Sequence, residues 1–237
     1  MAEHSFIAAP KTKIARAVLG ATIAASALGV GTLTAHADVP NGVAAATAAR
    51  HPNAALAAHQ AGAASDRHEE TRVNVTAQQV LALARAQVGT SENASGGGTK
   101  FQRWYAHSSR AAETVARDGG SRADYLNAAW CAMFVSWVGE QTGARPQVGW
   151  DAYTVAHAKW FAANHRWGNE AKPGAVVFFS WSGSKDLSSI NHVGFVVKDN
   201  QDGTISTIEG NTGNGKVEQR VRPKSQVVGY GYPQYAA

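Results

Sequence analysis

The sequence predicts an α+β fold, and three observations carry that prediction. Apolar residues recur at spacings of three and four through the first half of the folded region. After Pro173-Gly174 the period changes to two. The segments beyond that point are joined by short runs of turn-forming residues. Helices first, then an antiparallel run of strands, is the α+β order.

Each element has its own signal. Thr76 is an N-cap with Gln79 three residues on, the spacing of a capping box. Val80, Leu81, Leu83, Ala84 and Val88 then form a helical stripe that Gly89 closes. Residues 91–99 are a Gly/Ser/Asn loop, and residues 100–107 a short helix with Phe101, Trp104 and Tyr105. A polar connection is expected from there to about Asn127. The run from Trp130 to Gln141 reads as a buried helix, with Met133, Phe134, Trp137 and Val138 at helical spacing and Gly143 as the stop. Another helix is expected over 153–164. Strands follow over 175–181, 191–198, 204–211, 216–221 and 227–232. The connections 199–203 and 212–215 are short enough, and rich enough in Asp, Asn and Gly, for hairpins.

What precedes this domain, assigned to residues 76–237, is of a different kind. Residues 1–37 read as a secretory signal: Lys11, Lys13 and Arg16, then an uncharged apolar run, then the cleavage pattern Ala35-His36-Ala37. The alternative is a membrane anchor, but the run is built from Ala, Gly and Thr and ends at the cleavage pattern. No other stretch approaches the roughly 20 apolar residues that a span needs, so no stable span is expected after signal removal. Residues 38–75 are an Ala-rich spacer without periodic large apolar residues, which cannot bury enough surface to offset its ordering entropy.

Composition excludes several functions. The net charge of +5 falls to +3 without residues 1–37, which leave 19 basic and 16 acidic residues. This mild excess suits an anionic bacterial wall as a partner. With no cluster of Lys and Arg interleaved with aromatics, it argues against nucleic acid. No HExxH pair supports a zinc hydrolase, no GxSxG elbow is present, and the Gly-rich stretch before Lys100 lacks a phosphate-loop ending. Neither a metal nor a cofactor is expected.

The chain has one cysteine, Cys131, so an internal disulfide is excluded. In an exported protein a lone cysteine is an intermolecular bridge, a functional thiol or a buried inert side chain. Its neighbours favour the thiol. Cys131 lies at the start of its predicted helix, where unpaired N–H groups and the helix dipole favour a thiolate and could also hold an oxyanion. A nucleophilic thiol needs a base. Of nine histidines, five lie at or before residue 68, which leaves His107, His157, His165 and His192. His192 opens an apolar strand, with Gly194 two residues on leaving room for a substrate near the ring. The next strand offers Glu209 and Asn211, expected on one sheet face with Thr207, to orient the imidazole. Taken singly, each also fits a satisfied core histidine or a solvated strand end. Trp104, Trp130, Trp150 and Trp181 are candidate groove walls, with core packing as the alternative for each.

These residues resemble a known family. Trp130-Cys131-Ala132-x-Phe134-Val135-Ser136-Trp137, Pro173-Gly174-x-Val176-Val177-Phe178-Phe179, Asn191-His192-Val193-Gly194-Phe195-Val196 and Ile208-Glu209-Gly210-Asn211 are similar, in order and separation, to the motifs of the CHAP domain. This is the cysteine- and histidine-dependent amidohydrolase/peptidase module of bacterial wall hydrolases. The resemblance implies a papain-like fold, with Cys131 as nucleophile, His192 as general base, Glu209 as orienting group and Asn211 as auxiliary. It implies action on amide bonds of peptidoglycan; with the signal segment, the expectation is a secreted, wall-associated monomer with Trp130, Trp104 and Trp181 as candidate substrate contacts. A related NlpC-type wall endopeptidase and a silent wall-binding module on the same scaffold are the alternatives. Two positions depart from the pattern. Ala175 stands where many relatives carry Asp, and Trp130 stands where some carry an amide or acid, so the oxyanion needs another donor.

Overall fold

A computed structural model describes residues 72–237. The expected signal (1–37) and nearly all of the expected spacer lie outside the described residues. The architecture is α+β and papain-like, as expected: helices in the first half, then an antiparallel sheet.

The helices start where the caps place them. α1 (Ala77–Arg85) opens on a full capping box: Thr76 Oγ1 accepts from the Gln79 N–H, while Gln79 Oε1 accepts from the Thr76 N–H. Thr99 and Gln102 repeat the device at α2 (Lys100–His107). α1 ends earlier than expected. From Ala86 the chain turns, and the Gly89 N–H is taken by Val217 O, so Val88 leaves the apolar stripe and is exposed. Val73 and Val75, ahead of α1, pack into the core.

The expected polar connection after α2 is instead largely helical: α3 (Ser109–Asp118) and a 3-10 turn over Arg122–Leu126. Ser108 caps α3 by accepting from the Ala111 N–H. Only Ala111 and Thr114 of this helix are buried, which is why its periodicity is faint in the sequence. α4 (Cys131–Thr142) is the central helix, closed by left-handed Gly143 as expected. A four-residue helix, α5 (Arg145–Val148), and α6 (Thr154–Ala163) complete the set.

The sheet has six strands in the order β1-β6-β2-β3-β4-β5. They are β1 (Trp167–Gly168), β2 (Val176–Phe179), β3 (His192–Asp199), β4 (Thr204–Thr212), β5 (Lys216–Pro223) and β6 (Val227–Gly231). Alternation gives the sheet two apolar faces. Val176, Phe178, Val193, Phe195 and Ile208 join the helices in the main core. Val177, Phe179, Val196, Ile205 and Tyr230 form a second cluster.

α4 lies against β3 and β4, and Gly210 on β4 sets how close it comes. A Cβ at Gly210 would stand 2.6 Å from Phe134 Cβ and 2.8 Å from the Trp130 ring, so only glycine permits this spacing. The approach brings the first residue of α4, Cys131, to the end of the sheet where β3 begins with His192.

Candidate active site

Cys131 is the first residue of α4, and Trp130 before it supplies no side-chain cap. The N–H groups of the first helical turn have no intrahelical partner, so the positive end of the helix faces the thiol. Cys131 is free and buried. Of the four histidines left by the sequence, only His192 has its imidazolium supported by Cys131. His107 is exposed and bonded to Arg103 O. His165 sits in the turn after α6, in the left-handed region. His157 is fully buried among Phe161, Phe178 and Trp160 and bonds Val148 O. Burial pushes its imidazolium down, so it is neutral there.

His192 is buried between two acidic partners. Its Nε2 donates to Glu209 Oε2 at 2.9 Å, which leaves Nδ1 for Cys131. Burial alone would depress the imidazolium. The hydrogen bonds and charges of Cys131 and Glu209 outweigh it and lift the ring to about 9. Glu209 is wholly buried, and burial alone would raise it. Hydrogen bonds from His192, Arg222 and Thr207 instead hold it down at about 2.

Arg222 on β5 grips the carboxylate as a fork. Its Nε lies 3.0 and 3.2 Å from the two oxygens, and its Nη2 lies 2.6 Å from Oε2. Thr207 donates to the other oxygen, Oε1, at 2.5 Å. A buried carboxylate with this many donors stays ionised and keeps the imidazole in one tautomer and one plane. Thr207 is expected from the sequence only as a neighbour of Glu209 on the same sheet face, and nothing in the local pattern points to Arg222. The available signal was an arginine on a strand neighbouring the one that carries a half-buried glutamate.

Several expectations need correction. Asn211 does not share a face with Glu209. A bulge interrupts the β4–β5 register after Glu209, and Asn211 takes a positive φ of 54°. The residue that joins Glu209 on Arg222 is Thr212, whose Oγ1 accepts from Nη2 at 2.8 Å. Gly194 does not clear space for substrate either. A Cβ there would meet Glu209 Cγ at 2.7 Å and Ile208 O at 2.8 Å, so this glycine makes room for the glutamate.

The tryptophans divide. Trp130 is fully buried, stacked on Phe101 at 5.3 Å and donating its indole N–H to Glu92 at 2.8 Å; it is a core residue rather than a groove wall. Trp104 is half-buried against Tyr105 and the core, and Trp150 packs under Arg145. Trp181 alone sits at the site: 43% exposed, its ring 5.1 Å from His192 and 4.9 Å from the Arg222 guanidinium. On the other side, Cys131 borders a cleft of about 200 Å³ whose rim carries exposed Tyr153. Among the described residues no three His, Cys, Asp or Glu side chains gather as metal ligands, and no helix is long and apolar enough to cross a membrane.

This geometry can hold a thiolate–imidazolium pair, and its pH behaviour follows. His192 is raised, so the stability it lends is full below about pH 6.5 and is lost as pH rises through about 9. Glu209 is lowered, so its contribution is present above about pH 4.5 and is lost as pH falls through about 2. Stability from this pair is therefore greatest between about pH 4.5 and 6.5. The alkaline limb of kcat/KM is expected near pH 9, where the imidazolium is lost, in a pH–rate profile on a soluble peptide amide. A limb near the ordinary histidine value of 6.5 would mean that Cys131 and Glu209 do not support the ring.

The family model of the CHAP domain matches residues 123–211, a span that holds Cys131, His192 and Glu209 and stops short of Arg222. Neither a curated protein nor a solved structure matches the chain. Over residues 123–211 the chain is thus similar to the CHAP domain, a similarity that suggests a peptidoglycan-related hydrolase of the amidase or peptidase type.

Proposed function

We propose that the chain is an exported, wall-associated enzyme that cleaves an amide bond of bacterial peptidoglycan with Cys131 as nucleophile. The bond is the one between N-acetylmuramic acid and L-alanine, or one within the stem peptide or cross-bridge. The observation that carries this reading is the placement of His192, whose Nε2 is hydrogen-bonded to Glu209 and whose imidazolium is raised by Cys131 and Glu209 together. The intact set also weighs against a silent wall-binding module on the same scaffold.

In this mechanism the Cys131 thiolate attacks the amide carbonyl, and the N–H groups of the first turn of α4 receive the oxyanion. The tetrahedral adduct collapses as His192 Nδ1–H protonates the leaving amine, giving a thioester on Cys131. Neutral His192 then takes a proton from water, which adds to the thioester and releases the carboxylate and the thiol. Glu209 stays ionised throughout and stabilises the imidazolium.

The test is digestion of purified bacterial peptidoglycan with analysis of the released fragments by mass. New free amino groups are expected, without new reducing sugar ends. Reducing ends without amines would make the enzyme a glycosidase and overturn the reading.

A further inference from the structure

We propose that a second cavity, which shares no lining residue with the cleft beside Cys131, binds a neutral N-acetylated amino sugar. That this sugar belongs to the wall glycan rests on the reading of the chain as a peptidoglycan enzyme. The cavity measures about 360 Å³ and lies where α5 and the segment after it meet α3 and α6. It is set apart by what it leaves unsatisfied. Among the described residues, two buried side-chain nitrogens have no hydrogen-bond partner, Arg110 Nε and His157 Nδ1. Both residues line this cavity. Buried polar atoms are nearly always paired, so two orphans at one cavity point to a partner that enters it.

The two atoms ask for opposite things. His157 Nε2 lies 2.6 Å from Val148 O, so it carries the proton and donates. Burial keeps the ring neutral, which makes Nδ1 a bare acceptor. Arg110 Nε–H is a donor. A secondary amide answers both at once, its N–H to His157 and its C=O to Arg110. Charge offers nothing further. Arg110 is taken up by Glu113 and Asp151, and Arg145 by Glu140, so a charged ligand would leave water here without a counter-charge. The remaining walls are apolar: Trp150, Trp160 and Pro146 offer surfaces to a methyl group and to the C–H face of a sugar ring. Gly149 shapes the floor. With a φ of 82° it carries the chain across His157 and Trp160, where a Cβ would stand 2.8 Å from His157 Nε2. An acetamido group joins the amide to a methyl, whereas a plain sugar hydroxyl has no methyl to cover. Asp151 lines this cavity and Ala152 lines the active-site cleft, so a glycan strand held here passes close to the thiol.

The test is titration of the full chain with the N-acetylglucosamine trimer and, separately, with the glucose trimer, which has a hydroxyl in place of each acetamido group. Nitrogen-15 NMR of the histidine rings and tryptophan indoles follows the binding. The N-acetylated trimer is expected to bind at least about 10-fold more tightly than the glucose trimer. The His157 Nδ1 signal is expected to move upfield as it accepts the new hydrogen bond. Trp150→Ala, in a form that melts as a folded protein, is expected to weaken this binding by about 10-fold or more, and Trp150→Phe to keep it within about 3-fold. No binding of the N-acetylated trimer, equal binding of the two trimers, or a His157 signal that stays put, as it would if a resident water held the pair, would each overturn the proposal. So would a folded Trp150→Ala that binds as the parent does. The outcomes separate the proposal from the reading beneath it. If the trimer binds as expected and Cys131→Ala clears peptidoglycan as fast as the parent, the sugar site stands and the thiol mechanism fails. If clearance depends on Cys131 and the trimer does not bind, the mechanism stands and the cavity has been misassigned.

Discussion

Cys131→Ala is expected to lower the rate of peptidoglycan clearance by at least about 10⁴-fold while leaving the fold in place. The two halves of that expectation have separate causes. The side chain is small and buried at the first position of α4, so an alanine fits the space and keeps the helix start. The stability cost is about 1 kcal/mol, within reach of a thermal melt. In the proposed mechanism the covalent step requires the sulfur. Without it the imidazolium and the helix N-terminus have no thiolate to support, and no covalent intermediate forms. Turbidity of a peptidoglycan suspension gives the rate. A variant that melts with the parent and clears as fast would remove the nucleophile from the mechanism.

Glu209→Ala is expected to damage both stability and activity. In the parent, the carboxylate satisfies the Arg222 fork, the Thr207 hydroxyl and the His192 ring from a fully buried position. Removing it leaves a mostly buried guanidinium without its counter-charge. Breaking one side of such a pair costs about 3–5 kcal/mol. In a domain of this size the melting temperature is expected to fall by on the order of 10 °C. Activity is expected to fall by about 10²–10⁴-fold, since the imidazole loses its orientation and its counter-ion. The double variant Glu209→Leu with Arg222→Met separates the effects. With no stranded charge it is expected to recover much of the stability and none of the activity. A Glu209→Ala protein with parental melting and parental kcat would show that the carboxylate is incidental.

The chemistry of this site was more legible than its support. Cys131, His192 and Glu209 each carry a local signal: a lone thiol at a helix start, a histidine opening an apolar strand, a carboxylate in a half-buried strand. Those signals survive because helix and strand periods fix where such residues point. The residues that hold the site together carry no local signal. Arg222 reaches Glu209 across the β4–β5 pairing, and that contact is a property of register rather than of spacing. The bulge that moves Asn211 out of line and brings in Thr212 changes the period by one residue, which alternation cannot foresee.

The same limit explains the misread tryptophan and glycine. Trp130 was a reasonable groove wall from its place beside the nucleophile, but Glu92 is there to accept its N–H, and that partner lies far away in sequence. Gly194 reads as space near a ring. Which neighbour uses the space is decided by the strand across from it, and here it is Glu209 rather than a ligand. α3 was missed for a different reason: a helix that buries only an alanine and a threonine leaves almost no apolar period to find.

The most direct test of the central claim is whether the substrate becomes bonded to Cys131. Enzyme mixed with an alanyl peptide amide and quenched in acid within the first turnover should gain the mass of the acyl group. Digestion should place that mass on the peptide containing Cys131, and Cys131→Ala should show none. Turnover by the parent with its mass unchanged throughout, at a rate that Cys131→Ala shares, would contradict the account.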